Sequence, residues 1–306
     1  MIIAAIDIGT NSTRLMIAER EGGTISQELY RKSVITRLGQ GVHQTGHLAP
    51  AAVDRTLEVL RDYAQLAKDK QAEVVKAVAT SAMRDADNAA DLLIPAFEIL
   101  KVVPDVIAGE SEATLTYTGV LSDETTSALG ETFLIIDIGG GSTEIVFGDN
   151  RRPELLNSLP LGCVRLTETF FGFDPPQPGE ITALRLRVRR VLGNNFSRLI
   201  GVGAVPIAVA GTPTSLAAIE LKLAEYDRDK VHLYKLTRAG VIRCLKDLIS
   251  VPLADRQKIV GLEPDRADVI IAGTAILLEI MSFFDFDYVF VSERDILDGV
   301  ALAAQA

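Results

Sequence analysis

The chain has 306 residues, of which 48% are apolar, and its formal net charge is −10. This length favours two domains over one core, and the acidic balance argues against nucleic acid as a partner, because surfaces that bind it are usually basic. No segment approaches the run of about 20 apolar residues that a membrane-spanning helix needs, so we expect no membrane partner. Cys163 and Cys244 lie far apart and outside any CxxC pair, which favours the reducing cytoplasm.

A sequence repeat relates the two halves of the chain. Residues 5–17 read AIDIGTNSTRLMI and residues 135–147 read IIDIGGGSTEIVF, with Ile, Asp, Ile, Gly, Ser and Thr at equivalent positions. In each copy an apolar, β-rich run ends in an aspartate, a turn follows, and a second apolar run leaves the turn. The repeat therefore predicts two copies of one supersecondary unit.

Apolar periodicity predicts the elements that follow each hairpin. For the first half we expect strands over 27–38, 74–79 and 100–106 and helices over 51–68, 87–97 and 111–121. For the second half we expect strands over 154–159, 205–210 and 287–291, helices over 164–171, 213–223 and 295–304, and further helical material over 180–200 and 237–284.

Two successive β-β-β-α-β-α-β-α units predict an α/β protein with two ribonuclease-H-like domains and a cleft between them, the arrangement of actin, sugar kinases and heat-shock chaperones. The charged stretch 122–131 marks the expected boundary. We therefore assign residues 1–124 to domain I and residues 125–306 to domain II. The final helix, at about 295–304, is expected to pack back on domain I.

The two hairpin turns are candidate phosphate sites, with ordinary Gly-rich hairpins as the alternative. Backbone N–H groups of such turns can point into one concavity, and the aspartate beside each turn can hold Mg²⁺ directly or through water. Glu144 can face the same cleft as Asp137, or it can be a solvated glutamate at a strand edge. The candidate phosphate-binding residues are Asp7, Gly9, Thr10, Asn11 and Ser12 in the first turn and Gly139, Gly140, Gly141 and Ser142 in the second.

Three further sites follow predicted strands. Arg84 stands at the carboxyl end of a sheet, where its planar fork can bind phosphate; a surface salt bridge to Asp85 or Asp87 is the alternative. Glu112, in the first turn of a helix, can accept a proton from an attacking water. A helix-capping role for Glu110 or Glu112 is the alternative, with Glu110 the better cap and Glu112 the better base.

Gly211 and Thr212 open another helix, whose N-terminus suits a phosphate or is simply capped. The basic run over 184–190 can dock a polyanion or form a solvated helix face.

These segments together resemble the Ppx/GppA family of exopolyphosphatases and guanosine pentaphosphate phosphohydrolases. The matching runs are AIDIGTNSTRLMI, RLGQGVHQTGHLAP, AVATSAMRDADN, IAGESEA, DIGGGSTEIVFG, AGTPTSLAAI and SERDILDGV. The resemblance implies a Mg²⁺-dependent phosphohydrolase, with K⁺ as a candidate activator, whose active site lies between two actin-like domains. The substrate would be inorganic polyphosphate or guanosine pentaphosphate, and no motif for a guanine base is apparent, which favours polyphosphate.

By the family's pattern, Glu112 is the base that activates water and Arg84 binds the terminal phosphate. Asp137 and Glu144 are the metal ligands, with Gly139 in the same turn. Where the family often has two adjacent glutamates before an alanine, this chain reads Glu-Ser-Glu-Ala.

The chain also resembles a short form of the family without the C-terminal helical extension, from which we expect a preference for shorter polymers. A homodimer is compatible with the family. Two other classes remain open: an actin-like small-molecule kinase, and a nucleotide-binding regulator that binds without turnover.

Overall fold

The computed structural model describes residues 1–196 and 203–304. The chain divides into two compact units: Met1–Glu124 together with Arg294–Ala306, and Thr125–Glu293. The sequence-based division gave everything after residue 124 to domain II, with its last helix packing back on domain I. In the structure, the segment that begins at Arg294 is part of the first unit.

A mixed sheet forms the centre of the first unit. Its strands are β1 (Ile2–Ile8), β2 (Ser12–Glu21), β3 (Thr24–Ile35), β4 (Val74–Ala79) and β5 (Asp105–Val106). They lie in the order β3-β2-β1-β4-β5, with β2 antiparallel to its neighbours and β4 and β5 parallel to β1. The helices of this unit are α1 (Val42–Thr45), α2 (Pro50–Asp69), α3 (Ser81–Asp85), α4 (Ala90–Leu100), α5 (Gly109–Leu121) and α14 (Ile296–Ala303).

Both faces of this sheet are covered by helices. Ala4, Ile6 and Ile8 of β1 pack in a core with α2 and α4, while Ile3 and Ala5 pack against α14 on the other face. Successive side chains of a strand point to opposite faces. Burial on both faces explains why β1 reads as a continuous apolar run.

The second unit repeats this architecture with additions. Its strands are β6 (Thr132–Ile138), β7 (Thr143–Asp149), β8 (Pro153–Leu159), β9 (Val205–Val209), β10 (Lys235–Thr237) and β11 (Tyr288–Val291), in the order β10-β11-β9-β6-β7-β8. Its helices are α7 (Cys163–Phe170), α8 (Pro178–Phe196), α9 (Gly211–Glu220), α10 (Arg228–Val231), α11 (Arg238–Ile249), α12 (Leu253–Arg256) and α13 (Ile270–Phe283), with a 3-10 turn over Pro264–Arg266. The short helix α6 (Glu124–Ser127) stands at the boundary of the units.

The two hairpins of the repeat have the same register. Asp7 lies opposite Arg14 in the first hairpin, and Asp137 lies opposite Glu144 in the second. In each unit the first strand pairs antiparallel with the second and parallel with the fourth. The first unit has the order 3-2-1-4-5 with the second strand antiparallel, which is that of ribonuclease H, and in the second unit β11 takes the fifth place with β10 added at the edge. The predicted ribonuclease-H-like fold of each unit is therefore confirmed.

Most predicted elements agree with the structure apart from their end residues, one predicted strand does not, and the short helices α1, α3, α6 and α10 were not predicted. The strand expected over 100–106 is wrong except at Asp105–Val106, because α4 continues to Leu100 and the chain then turns at Lys101, whose φ is 60°. The edge strand β10 was not predicted. Helical material expected over 180–200 is α8 as far as Phe196, and residues 197–200 lie outside the described residues.

In the part of the chain that the structure describes, no helix is both long and apolar enough to cross a membrane.

Candidate active site

The turns of the two hairpins have matching backbone hydrogen bonds. The N–H of Gly9 donates to the carbonyl oxygen of Ser12 at 3.0 Å, and the N–H of Gly139 donates to that of Ser142 at 3.0 Å. A Cβ at Gly9 would lie 2.8 Å from the Ser12 oxygen, and one at Gly139 would lie 3.1 Å from the Ser142 oxygen. Glycine is therefore needed for the close approach in the first turn and strongly favoured in the second.

The carbonyl groups of the first turn are bound by the segment that follows β3. Asn11 O accepts N–H bonds from Thr36 and Arg37 at 3.0 and 2.9 Å, and Thr10 O accepts one from Gly39 at 2.8 Å. C=O and N–H groups of a trans peptide point in opposite directions. The N–H groups in the same peptide planes therefore point away from that segment, as a phosphate nest requires.

Helix α7 binds the second turn in a similar way. Gly139 O accepts an N–H bond from Cys163 at 3.0 Å, and Gly140 O accepts bonds from Val164 at 2.9 Å and Arg165 at 3.1 Å. The N–H groups at the start of α7, which have no partner within the helix, thus donate to carbonyl oxygens of the Gly-rich hairpin turn. The N–H groups of the hairpin turn point away from α7.

The second hairpin brings the two predicted metal ligands together. Asp137 and Glu144 are cross-strand partners, so their side chains lie on one face of the sheet. Both are buried, and the hydroxyl of Ser158 donates to Glu144 Oε1 at 2.7 Å. Across residues 1–196 and 203–304, no group of three or more His, Cys, Asp or Glu side chains could hold a metal. A carboxylate pair still fits Mg²⁺, which is usually held by one or two carboxylates, water and substrate phosphates.

In the first hairpin the equivalent of Glu144 is an arginine. Arg14 donates to Asp7 Oδ2 from Nε at 2.9 Å and from Nη2 at 2.6 Å. Burial raises the pKa of Asp7, and the guanidinium of Arg14 opposes that rise. The first turn therefore holds an ion pair where the second holds two acids.

Arg84 and Glu112 form an ion pair in the first unit. Arg84 in α3 follows β4, and Glu112 in the first turn of α5 follows β5. Arg84 Nη1 donates to Glu112 Oε2 at 2.6 Å and to the carbonyl oxygen of Ile107 at 2.9 Å. Thr10 connects this region to the first turn, because its hydroxyl accepts the N–H of Ala82 at 3.2 Å. Glu112 is only 9% exposed.

Two alternatives for this region are wrong. Arg84 forms its salt bridge with Glu112, not with Asp85 or Asp87. Glu110 is exposed, and α5 begins after Ala108 without any side-chain cap.

The turn before α9 has an unusual backbone. Ala210, which precedes Gly211, has φ 71° and ψ −173°, a region that is almost restricted to glycine. The guanidinium of Arg266 covers Gly211 so closely that a Cβ there would lie 2.0 Å from Nη1. Thr212 is buried against Gly273 of α13. No side chain caps α9, so the alternative of an ordinary N-cap is wrong.

Sequence reasoning missed three arginines at these turns: Arg14, Arg165 and Arg266. Arg165 Nε donates to the carbonyl oxygen of Gly141 at 2.8 Å. Arg14 lies inside a recognised motif, and its position opposite Asp7 could have been found from the hairpin register alone. The other two are brought to their turns only by the tertiary fold.

The basic run over 184–190 is partly a buried ion-pair site. Arg185 and Arg189 of α8 both bind Glu279 of α13, and Glu279 is fully buried. Neither a free docking face nor a simply solvated face describes these two arginines.

Two ribonuclease-H-like units, each with an aspartate at its first hairpin turn, define a protein of the actin-like fold class. Residues 6–304 match the model of the Ppx/GppA phosphatase family. The chain belongs to this family. The prediction that it is a hydrolase of phosphoanhydride bonds is therefore confirmed as the enzyme class. Divalent-metal dependence is general in the family.

Known relatives are similar to this protein in sequence or fold over nearly the whole chain. Exopolyphosphatase 2 of Mycobacterium tuberculosis is 37% identical over 314 aligned residues, covering 98% of each protein. A PPX-GPPA enzyme of Aquifex aeolicus superposes with a TM-score of 0.82 at 34% identity, covering 99% of each chain. An exopolyphosphatase of Cytophaga hutchinsonii, at 24% identity and a TM-score of 0.89, shares the fold over 98% of this chain and 96% of its own.

Proposed function

We propose that this protein is an exopolyphosphatase, which releases terminal orthophosphate from inorganic polyphosphate with a water molecule activated by Glu112. The Arg84–Glu112 ion pair is the observation that carries the proposal. A neighbouring guanidinium favours the charged form of a carboxylate, which is the form that accepts a proton. As the water oxygen attacks phosphorus, its proton passes to Glu112 and the bond to the bridging oxygen breaks.

Arg84 suits the terminal phosphate as well as the base. Its hydrogen bonds to the described residues use Nη1 alone. Nε and Nη2 therefore remain for phosphate oxygens, which arginine can bind in a bidentate manner. One guanidinium would thus fix the distance between the base and the phosphorus atom, and such positioning supplies much of the acceleration in phosphoryl transfer.

The two turns are the proposed phosphate sites, the first through Gly9–Ser12 and the second through Gly139–Ser142. Beside the first turn, Asp7 would hold Mg²⁺ of the substrate directly or through water. In the second unit, Asp137 and Glu144 would hold Mg²⁺. When bound, Mg²⁺ would neutralise negative charge on the phosphate oxygens. Arg266 beside Gly211 is a further cation for the substrate in that unit.

The cellular location, the monovalent activator and the oligomeric state are proposals as well. Cys163 and Cys244 are free and buried, in agreement with a reducing cytoplasm. Activation by K⁺ and assembly as a homodimer are proposed from the family resemblance.

The test is phosphate release by the purified protein with Mg²⁺, from short polyphosphate, long polyphosphate and guanosine pentaphosphate. Glu112→Gln should lower kcat by roughly 10²- to 10⁴-fold. Glu110→Gln is the matched control, because that side chain is exposed in the same helical turn; it should leave kcat nearly unchanged.

Each other outcome would indicate a different function for this protein. Release from guanosine pentaphosphate alone would replace polyphosphate as the substrate. Transfer of phosphate from ATP to an added acceptor would indicate a kinase. Nucleotide binding without release from any substrate would indicate a regulator, and equal loss in both variants would remove Glu112 as the base.

A further inference from the structure

Arg14 is held between two carboxylates of the first unit. Two of its nitrogens donate to Asp7 Oδ2, and the third, Nη1, donates to Asp295 Oδ2 at 2.5 Å. Asp7 and Arg14 face each other across the first hairpin, whereas Asp295 comes from the end of the chain, 281 residues after Arg14. The last helix therefore reaches the hairpin turn through one guanidinium.

Asp295 is itself fixed in place. It is the N-cap of α14, where its Oδ1 accepts the N–H of Leu297 at 2.9 Å. Its own N–H donates to Asp298 Oδ2 at 3.0 Å, which completes a capping box. Arg31 adds a bond to Asp295 Oδ1 at 3.4 Å. Asp295 cannot rotate away from Arg14 without breaking the helix cap.

This arrangement leaves one carboxylate oxygen of Asp7, Oδ1, without a protein partner within the described ranges. Both bonds from Arg14 go to Oδ2, and Oδ1 is buried with no hydrogen-bond partner among the described residues. A buried carboxylate oxygen without a partner is costly. It suits a ligand that brings its own positive charge or proton, such as Mg²⁺ or water bound to Mg²⁺.

We propose that Asp295 is a positioning residue, which holds Arg14 so that Arg14 presents Oδ1 of Asp7 to the metal-bound substrate. The inference rests on the proposed function in that Asp7 serves a Mg²⁺–phosphate ligand. Groups that orient a ligand of a metal site typically change metal affinity or activity by about 10- to 100-fold when they are removed.

The chain offers a matched control in Asp298. Asp295 and Asp298 are both buried, both belong to the capping box of α14, and both bind Arg31. Of these two acids, only Asp295 binds Arg14 in the described part of the chain. Asparagine at either position keeps the size and one acceptor oxygen but removes the charge.

The experiment compares Asp295→Asn, Asp298→Asn and the unmodified protein. Two quantities are measured: the Mg²⁺ concentration that half-saturates polyphosphate hydrolysis, and the calorimetric affinity for Mg²⁺ with imidodiphosphate, which is not hydrolysed. Asp295→Asn should weaken both by about 10-fold or more, and Asp295→Glu should restore part of the loss. Asp298→Asn keeps an acceptor oxygen for the N–H of Asp295 and should change both quantities by less than about twofold, even if it lowers stability as much as Asp295→Asn does.

The result decides the proposal in each case. Equal effects of Asp295→Asn and Asp298→Asn, or no effect of either, would overturn it. Where Asp295→Asn does not fold, Arg14→Lys takes its place, because lysine cannot bridge two carboxylates as a guanidinium does; unchanged Mg²⁺ affinity in that variant would overturn it too. If the unmodified protein binds Mg²⁺–imidodiphosphate but releases no phosphate, the proposed function is wrong and this inference is not affected. If it does not bind Mg²⁺–imidodiphosphate, this inference is overturned.

Discussion

Replacing Gly299 with alanine is expected to destabilise the first unit. Gly299 in α14 and Gly119 in α5 lie where the backbones of these two helices are in close contact. A Cβ at Gly299 would lie 2.0 Å from the carbonyl oxygen of Leu115, and one at Gly119 would lie 2.0 Å from that of Asp295. Both atoms that the new methyl groups would meet belong to backbone, so no side-chain rotation can relieve the overlap.

The size of the effect follows from this overlap. Real Cβ contacts essentially never fall below 3.0 Å, so the helices must separate by about 1 Å (3.0 minus 2.0). That separation loosens Ile296 and Val300, which pack on the β1 face of the sheet. Overpacking of this kind costs about 1–3 kcal/mol, and we expect the upper end because backbone must move. The lower urea midpoint is measured by far-ultraviolet circular dichroism.

Gly193→Ala is the control for Gly299→Ala. Gly193 lies in helix α8, and a Cβ there would meet nothing within 4 Å. Alanine should therefore raise the unfolding free energy by roughly 0.5–1 kcal/mol through helix propensity. A Gly299→Ala protein as stable as the unmodified one would refute the close-packing argument.

Three further predictions concern the second unit. Ala210→Gly should raise the unfolding free energy by about 1 kcal/mol, because relief of backbone strain of about 1–3 kcal/mol exceeds the entropic cost of glycine; thermal unfolding measures it. Glu279→Gln should lower the unfolding free energy by about 2 kcal/mol, because it weakens charge-assisted bonds to Arg185 and Arg189; urea unfolding measures it. Burial raises the pKa of the thiols of Cys163 and Cys244 to about 11. Only the thiolate reacts, so labelling by a thiol reagent should be about 100-fold slower than for an ordinary thiol near pH 8 and should accelerate as pH rises towards 11.

Each of these predictions has its own control or contradicting result. Asp255→Asn removes an exposed pair with Lys258 and should change stability by less than about 0.5 kcal/mol, in contrast to Glu279→Gln. A less stable Ala210→Gly protein would show that the backbone there is not strained. Labelling of the native thiols as fast as in urea would contradict their burial.

Local sequence signals were enough for the hairpins and for the strands that lead to the site. The strand over Val74–Ala79 was predicted with its observed bounds, because its apolar run ends at a turn. Residues 100–106 misled because an apolar run beside a proline suits either a helix end or a strand. The conformation of Lys101, which ends α4, decides between them, and that conformation has no clear sequence signal.

The candidate site was predictable where chemistry and position coincide. Arg84 and Glu112 each follow a strand of the parallel part of the sheet, so the topology itself brings them together. The bond from Arg14 to Asp295 was not predictable, since it joins opposite ends of the chain. The position of Arg266 over Gly211 likewise depends on how the segment before α13 crosses α9.

The difference between the two hairpins leads to a prediction in which stability and metal binding change in opposite directions. Asp137 and Glu144 are like charges at directly opposed cross-strand positions, which is destabilising without a cation. Glu144→Gln keeps an acceptor for Ser158 and should raise the unfolding free energy by about 0.5–1 kcal/mol in the absence of metal.

The same variant should lose the stabilisation that Mg²⁺ gives the unmodified protein, which is about 2.7 kcal/mol at a concentration 100 times the dissociation constant. Thermal unfolding with and without Mg²⁺ measures both effects in one experiment. If Glu144→Gln were less stable without metal and still stabilised by Mg²⁺, the acid pair would not be the metal site, and the contrast with the Asp7–Arg14 pair would have only a structural meaning.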